Sequence, residues 1–174
     1  NTFLQSLGGM TGQSITEPDY HATAREIMAE AKQKNCELIL PVDALVADAF
    51  AEDVGTQIVG IDKVPFDKMI LDVGPKSIAH VNTVLEGCHT VLWNGPMGAF
   101  EIRKFATGTF EVAKKVAELT KAGKMVSVAG GGDTVAALNA AGVTQDFTYV
   151  STAGGAFLEW LEGRELPGVA ALTR

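Results

Sequence analysis

Hydrophobic and polar positions follow two periods along this chain, which predicts short strands between amphipathic helices. Apolar residues recur every three or four positions in 20–34, 77–85 and 107–121, as on one face of a helix. Short, almost continuous apolar runs separate these segments and are typical of strands covered on both faces. The predicted strands are 36–42, 56–60, 69–75, 90–93, 125–129 and 147–150. Further helices are predicted at 1–7, 135–141 and 156–161.

Strands that alternate with helices predict an α/β fold with a doubly wound, mostly parallel sheet. The segment 44–50 is predicted to be helical or irregular. Ligands of such sheets bind beyond the carboxyl ends of the strands. Polar and glycine-rich segments follow the predicted strands at Asp43, 72–75, 94–98, 130–134 and 151–155. Because parallel strands end at one edge, we expect these segments to gather in one crevice.

The glycine-rich stretch after the strand 125–129 is the strongest candidate for a site. Three glycines, 130–132, precede Asp133, Thr134 and a predicted helix. Without Cβ atoms, the backbone N–H groups can approach a ligand closely, and the start of the helix favours phosphate. Asp133 adds one carboxylate, which suits Mg²⁺ shared with a nucleotide. The stretch alone is equally compatible with a tight turn in which Asp133 only caps the helix.

A second glycine loop, 151–155, repeats this pattern before the helix 156–161. It offers backbone donors and a helix dipole to a phosphate, including one in transit. A serine cap with glycine packing explains this loop equally well. Two such loops at one crevice favour phosphoryl transfer, which depends mainly on positioning and on neutralisation of charge. Glu101, beyond the strand 90–93, either accepts a ribose hydroxyl or is solvated.

Composition and missing motifs narrow the function further. The 174 residues carry a net charge of −7 without a basic run, which disfavours nucleic acid and leaves a local anion site open. Cys36 and Cys88 lack metal-ligand spacing and predict a reducing, cytoplasmic setting. No apolar run reaches membrane-spanning length. The Walker and dinucleotide fingerprints are absent, which disfavours a P-loop NTPase and a redox Rossmann domain.

Several motifs together resemble the phosphoglycerate kinase family over the whole chain. They are LPVD at 40–43, LDVGP at 71–75, LWNGPMGAFE at 92–101, GGGDT at 130–134, VSTAGGA at 150–156, and LEG and LPG at 161–163 and 166–168. The resemblance implies a Rossmann-like, three-layer lobe of a bilobal kinase. Residues 1–174 would be its carboxyl-terminal, nucleotide-binding domain, incomplete at the start. Because the sequence begins at Asn1 without Met, we expect a piece of a longer protein, although processing would give the same start.

The resemblance also implies residue roles. Asp133 would bind Mg²⁺, and Glu101 would bind the ribose hydroxyls. The phosphates and the adjoining sugar would contact Gly131, Gly132, Thr134, Asn94, Gly95 and Pro96. An apolar adenine slot would be lined by Ile15, Phe50, Leu71 and Ala99. The transferring phosphoryl group would be steadied by the catalytic residues Gly154 and Gly155. Ala153 stands where many members of the family have a third glycine.

The implied activity is the glycolytic transfer of the acyl phosphate of 1,3-bisphosphoglycerate to Mg-ADP, which gives 3-phosphoglycerate and ATP reversibly. This chain would supply the ADP/ATP site, and the phosphoglycerate site would lie on the absent amino-terminal lobe. We therefore expect the chain alone to be inactive. The family also implies a monomer, while the composition predicts a cytoplasmic protein without nucleic-acid or membrane partners. The alternative is a non-catalytic nucleotide-binding module or fragment, which would bind nucleotide without turnover.

Overall fold

The computed structural model describes residues 1–151 and 154–172, which divide into two compact units. Unit 1 comprises Asn1–Thr83 and Met97–Gly108, and unit 2 comprises Val84–Pro96 and Thr109–Arg174. Each unit contains one three-stranded sheet. The α/β class predicted from the hydrophobic pattern is confirmed.

The helices and strands follow one another in the predicted order over most of the chain. The helices are α1 Thr2–Ser6, α2 His21–Gln33, α3 Pro75–Glu86, α4 Thr107–Lys121, α5 Gly132–Ala141, α6 Gly154–Leu161 and α7 Pro167–Leu172. The strands are β1 Asp43–Ala47, β2 Thr56–Gly60, β3 Met69–Val73, β4 Thr90–Asn94, β5 Val126–Gly130 and β6 Tyr149–Ser151. None of the described helices has the length and apolarity needed to cross a membrane.

The sheet of unit 1 is antiparallel, with β1 between β2 and β3. The connection 48–55 between β1 and β2 is too short for the helical crossover that parallel strands require, so the chain returns antiparallel. The core of this sheet is a cluster of buried aliphatic side chains: Ala44, Val46, Val59 and Val64, with Ile61 and Ile70 packed against it.

The prediction of a strand at 36–42 is wrong. The chain is irregular there, and the strand β1 instead begins at Asp43 and takes up 44–47 of the segment 44–50, which was predicted to be helical or irregular. Leu38 and Val42 are 41% and 48% exposed, whereas Val46 is fully buried, so the apolar character of 36–42 does not mark a core strand. Asp43 therefore stands at the amino end of a strand instead of following one.

The sheet of unit 2 is parallel, with β5 between β4 and β6. The apolar stripe predicted for helix α4 has five residues, of which Val112, Ala113, Val116 and Leu119 are buried and Phe110 is partly buried. The hydroxyl groups of Thr120 on α4 and Ser127 on β5 lie 2.9 Å apart in a hydrogen bond. The parallel sheet predicted from the alternating strands and helices is thus found in unit 2. Its central strand leads directly into the glycine loop.

Candidate functional site

The glycine loop of unit 2 joins the end of β5 to the start of α5. Gly131 is the N-cap residue of α5 and has φ 102°, a conformation that favours glycine. The helix begins at Gly132, so Asp133 is its second residue, and α5 has no side-chain hydrogen bond at its cap. The alternative in which Asp133 caps the helix is therefore wrong. The carboxylate of Asp133 is exposed instead.

A buried threonine connects this loop to the segment after β4. Thr134 is 2% exposed, and its Oγ1 accepts the backbone N–H of Gly95 at 2.7 Å. A Cβ atom at Gly131 would lie 3.1 Å from Oδ1 of Asn94 and 3.4 Å from Oγ1 of Thr134. Four of the predicted phosphate-binding residues thus lie together at the carboxyl ends of β4 and β5. Because the hydroxyl of Thr134 is already hydrogen-bonded to Gly95, we expect the backbone N–H of Thr134 to provide the phosphate contact.

This pairing gives a direct prediction for the hydroxyl of Thr134. Thr134→Val keeps the shape of the side chain but leaves the N–H of Gly95 without its acceptor. We expect the free energy of unfolding to fall by about 1–3 kcal/mol. Thr134→Ser keeps the hydroxyl and should lose clearly less. Urea unfolding of the two variants measures the difference, and equal losses would contradict a role for the hydrogen bond.

The donors around the glycine loop fit a cation shared with a nucleotide. Mg²⁺ usually binds one or two protein carboxylates and completes its shell with phosphates and water. Asp133 offers one exposed carboxylate in the first turn of α5. Over 1–151 and 154–172, no three His, Cys, Asp or Glu side chains come together as a metal cage. The residues present therefore suit a Mg²⁺ ion bound jointly with phosphate.

The second glycine loop is described only in part. Ser151 ends β6 and is buried, and α6 begins at Gly154. A Cβ atom at Gly155 would meet no described atom within 4 Å, so the exposed start of α6 has room for a ligand. Ala153, the departure from the family pattern, lies outside the described residues. Pro96, which was predicted to adjoin the phosphates, is half-buried and is the last residue of the range Val84–Pro96 in unit 2.

In unit 1, the residues predicted for the adenine slot are tied to β3 and to its neighbouring segment. The backbone N–H of Ala99 donates to the carbonyl oxygen of Leu71 at 2.8 Å. Phe50 is half exposed, and its ring centroid lies 6.3 Å from that of the buried Phe105. Exposed aromatic and aliphatic surface held in place in this way suits contact with a flat base.

Ile15 is 90% exposed, and the residues before it fasten its segment to β3. The backbone N–H of Gln13 donates to the carbonyl oxygen of Lys68 at 2.7 Å, and the Oγ of Ser14 accepts the N–H of Ile70 at 2.8 Å. Glu101, predicted to bind ribose, is exposed as well. All of the residues predicted to bind adenine and ribose thus belong to unit 1, and all of those predicted to bind phosphate belong to unit 2.

Asp72 lies within β3 and is 1% exposed. The sequence did not predict that its carboxylate accepts backbone hydrogen bonds from the start of α4. Its carboxylate accepts the N–H groups of Val73 and Gly108, each at 2.8 Å, and that of Thr107. Burial raises the pKa of Asp72 to about 6, although the hydrogen bonds from Gly108, Val73 and Thr107 act in the opposite direction. The acidic residue in LDVGP was the only sequence signal for this role.

Asp43 has a similar role at the start of α3. Its carboxylate accepts the N–H of Lys76 at 3.0 Å, and the N–H and hydroxyl of Ser77 at 2.8 and 2.7 Å. Burial alone would raise the pKa of Asp43, but the hydrogen bonds from Ser77 and Lys76 and the charge of Lys76 outweigh it and lower the pKa. Asp43 therefore caps a helix and stabilises unit 1.

This chain is similar to known proteins in family, in sequence and in structure. A family model described as phosphoglycerate kinase matches residues 1–164. The chain is 60% identical over 172 residues to the phosphoglycerate kinase of Methylorubrum extorquens (strain PA1), and 57% identical over 174 residues to that of Allorhizobium ampelinum. These alignments cover 99% and 100% of this chain but 43% and 44% of the relatives. The chain thus spans less than half the length of the curated relatives that it matches.

Solved structures agree with the sequence comparison. The phosphoglycerate kinase of Coxiella burnetii matches with a TM-score of 0.92 at 43% identity, over 98% of this chain and 43% of that one. The enzyme of Pyrococcus horikoshii OT3 matches with a TM-score of 0.81 at 30% identity, over 99% of this chain and 42% of that one. Because the family model covers almost the whole sequence, the resemblance seen in the motifs is confirmed, and the chain belongs to the phosphoglycerate kinase family.

Proposed function

We propose that this chain supplies the ADP/ATP site of a glycolytic phosphotransferase. The reaction is the reversible transfer of the acyl phosphate of 1,3-bisphosphoglycerate to Mg-ADP, which gives 3-phosphoglycerate and ATP. The observation that carries the proposal is the hydrogen bond from the N–H of Gly95 to Oγ1 of Thr134. It joins two predicted phosphate-binding segments at the carboxyl ends of adjacent parallel strands, where α/β proteins bind phosphate.

Each predicted residue has a distinct task in this proposal. Backbone N–H groups of Gly131, Gly132 and Thr134 bind phosphate oxygens, and Asn94, Gly95 and Pro96 adjoin them. Asp133 holds Mg²⁺, which neutralises phosphate charge when it is bound. Glu101 accepts the ribose hydroxyls, and the base contacts Ile15, Phe50, Leu71 and Ala99. Gly154 and Gly155, at the start of α6, donate to the phosphoryl group in transfer.

The phosphoglycerate substrate is assigned to the part of the relatives' length that this chain does not span. We therefore expect these residues alone to bind nucleotide weakly, as a monomer in the cytoplasm, and not to complete the reaction. A non-catalytic nucleotide-binding module would bind in the same way. The two functions differ in turnover once the rest of a family member's chain is joined to this one.

The nucleotide site is tested by calorimetric titration of Mg-ADP into the chain and its Asp133→Asn variant. The variant keeps the shape of the side chain but loses the charge that Mg²⁺ requires. We expect its affinity for Mg-ADP to fall about tenfold, the loss typical of a weakened contact to an ion. A chelator should weaken binding to the original chain and change binding to the variant much less.

Asp146→Asn is the matched control, because it also removes one carboxylate from unit 2, at a surface ion pair with Lys121. Its affinity for Mg-ADP should not change, and an equal loss would point to net charge instead of a metal contact. A coupled assay for ATP formation completes the test. Turnover by these 174 residues alone would contradict the proposed division between the two substrates.

A further inference from the structure

We propose that Asp72 is a positioning residue for the adenine of the bound nucleotide. Its carboxylate accepts hydrogen bonds from the end of the segment Met97–Gly108 and lies closely against Gly98 near the start of that segment. This segment supports the apolar side chains that would contact the base. The inference rests on the proposed ADP/ATP site and deepens it. All the residues concerned lie in unit 1.

Both ends of the segment meet the same carboxylate. At its end, the N–H groups of Thr107 and Gly108 donate to Asp72. At its start, a Cβ atom on Gly98 would lie 2.6 Å from Cγ of Asp72 and 2.6 Å from the carbonyl oxygen of Phe105. A Cβ atom on Gly108 would lie 3.2 Å from the same Cγ atom and closer still to Oδ1. Glycine is therefore required at both places so that the backbone can close around the carboxylate.

Between these two ends, the segment contacts two other parts of the predicted adenine slot. Ala99 forms a backbone hydrogen bond with Leu71, the residue before Asp72 in β3. Phe105, which is fully buried, packs against the half-exposed Phe50. Three of the four residues predicted for the adenine slot are thus held in one arrangement by the segment that Asp72 fastens.

A carboxylate suits this position because each of its two oxygens accepts hydrogen bonds. Oδ1 accepts the N–H of Val73, and Oδ2 accepts that of Gly108. An asparagine would present an NH₂ group to one of these donors and leave it unsatisfied in a buried place. We expect the segment to move away from β3 in Asp72→Asn, which would displace Ala99 and Phe105 from their partners.

The experiment compares two probes, Mg-ADP and Mg-tripolyphosphate, in calorimetric titrations at pH 7.5. Asp72→Asn should bind Mg-ADP about tenfold more weakly, because the base loses its preformed surface. Mg-tripolyphosphate has no base and would contact only the phosphate residues of unit 2. Its affinity should change less than about twofold, as expected for an independent site.

Asp43→Asn is the matched control, since it also removes a buried, hydrogen-bonded carboxylate from unit 1 but from the start of α3. It should leave the ratio of the two affinities unchanged. A ratio that stays constant in Asp72→Asn, whether both affinities fall or neither does, would overturn the inference. If the unsubstituted chain bound neither Mg-ADP nor Mg-tripolyphosphate, the proposed function would be overturned, and the inference with it.

Gly98→Ala provides a second route if Asp72→Asn does not fold, as judged by circular dichroism. It keeps the carboxylate but forces the start of the segment away from it. The same selective loss of affinity for Mg-ADP is expected. An unchanged ratio of affinities in a folded Gly98→Ala chain would contradict the positioning role.

Discussion

Gly12→Ala is expected to lower the free energy of unfolding of this chain by about 3 kcal/mol or more. A Cβ atom at Gly12 would lie 2.5 Å from the carbonyl oxygen of Pro65 and closer still to that of Lys68. Both obstacles are backbone atoms, so no side chain can rotate to make room. The residue also has φ +56°, a conformation that costs other residues additional strain.

Two other glycines separate these causes. Gly8 has φ +83°, but a Cβ atom there would meet none of the described atoms within 4 Å, so Gly8→Ala should show the cost of the backbone conformation alone, about 1 kcal/mol. Gly55 has an ordinary φ and equally open surroundings, and Gly55→Ala should be within about 0.5 kcal/mol of the original. Urea unfolding followed by circular dichroism ranks the three variants. A loss at Gly12 no larger than that at Gly8 would contradict the steric argument.

The position of Gly12 also connects stability with the proposed site. Gly12 forms an isolated antiparallel bridge with Met69 of β3, two residues before Leu71. Gln13 and Ser14 continue along the same strand through their hydrogen bonds to Lys68 and Ile70. A displaced Gly12 would therefore also move Ile15, which follows Ser14 in the chain. We expect the affinity for Mg-ADP to fall together with stability.

Local sequence patterns were sufficient where the structure is determined by neighbouring residues. A helix over 107–121 was predicted because apolar residues spaced three or four apart lie on one face of a helix. The structure has this helix at Thr107–Lys121. The glycine loop was predictable for the same reason, because a strand, three glycines and a helix start are consecutive in the chain. The family motifs added candidate roles, and those roles stay predictions.

The sequence pattern failed where pairing between distant segments determines the structure. Both 36–42 and β1 are largely apolar, yet only β1 is a strand, because Ala44–Ala47 can pair with both β2 and β3. A single sequence does not display such pairing. Pro41, which has no N–H group to donate, was the local sign against a central strand at 36–42.

The buried aspartates could not be assigned for a related reason. An acidic residue beside a strand is usually solvent-exposed, and nothing in LPVD or LDVGP shows that a helix start will lie over its carboxylate. Asp43 reaches Lys76 and Ser77, and Asp72 reaches Gly108, across more than thirty residues of sequence in each case. The positive ends of α3 and α4 stabilise these carboxylates only once the strands and helices have packed.

The stability of the chain should fall as pH rises from about 4 to about 6 because of Asp72. Its pKa is about 6 in the folded chain against the usual 3.8, so ionisation is less favourable in the folded state than in the unfolded one. The unfolded chain therefore releases this proton at lower pH, and the free energy of unfolding decreases across the interval. The loss between pH 4.5 and 7.5 is expected to be about 2 kcal/mol.

Asp72→Asn and Asp43→Asn separate this effect from the titration of other groups. Urea unfolding at pH 4.5 and 7.5 should show that Asp72→Asn lacks the 2 kcal/mol decrease, whereas Asp43→Asn retains it. The pKa of Asp43 is lowered by folding, so its stabilisation is present above pH about 4 and is lost only as pH falls below that value. The two carboxylates thus act in opposite directions and in different pH intervals. If the free energy of unfolding of Asp72→Asn decreased by the same 2 kcal/mol between the two pH values, another group would be responsible. Burial would then not raise the pKa of Asp72.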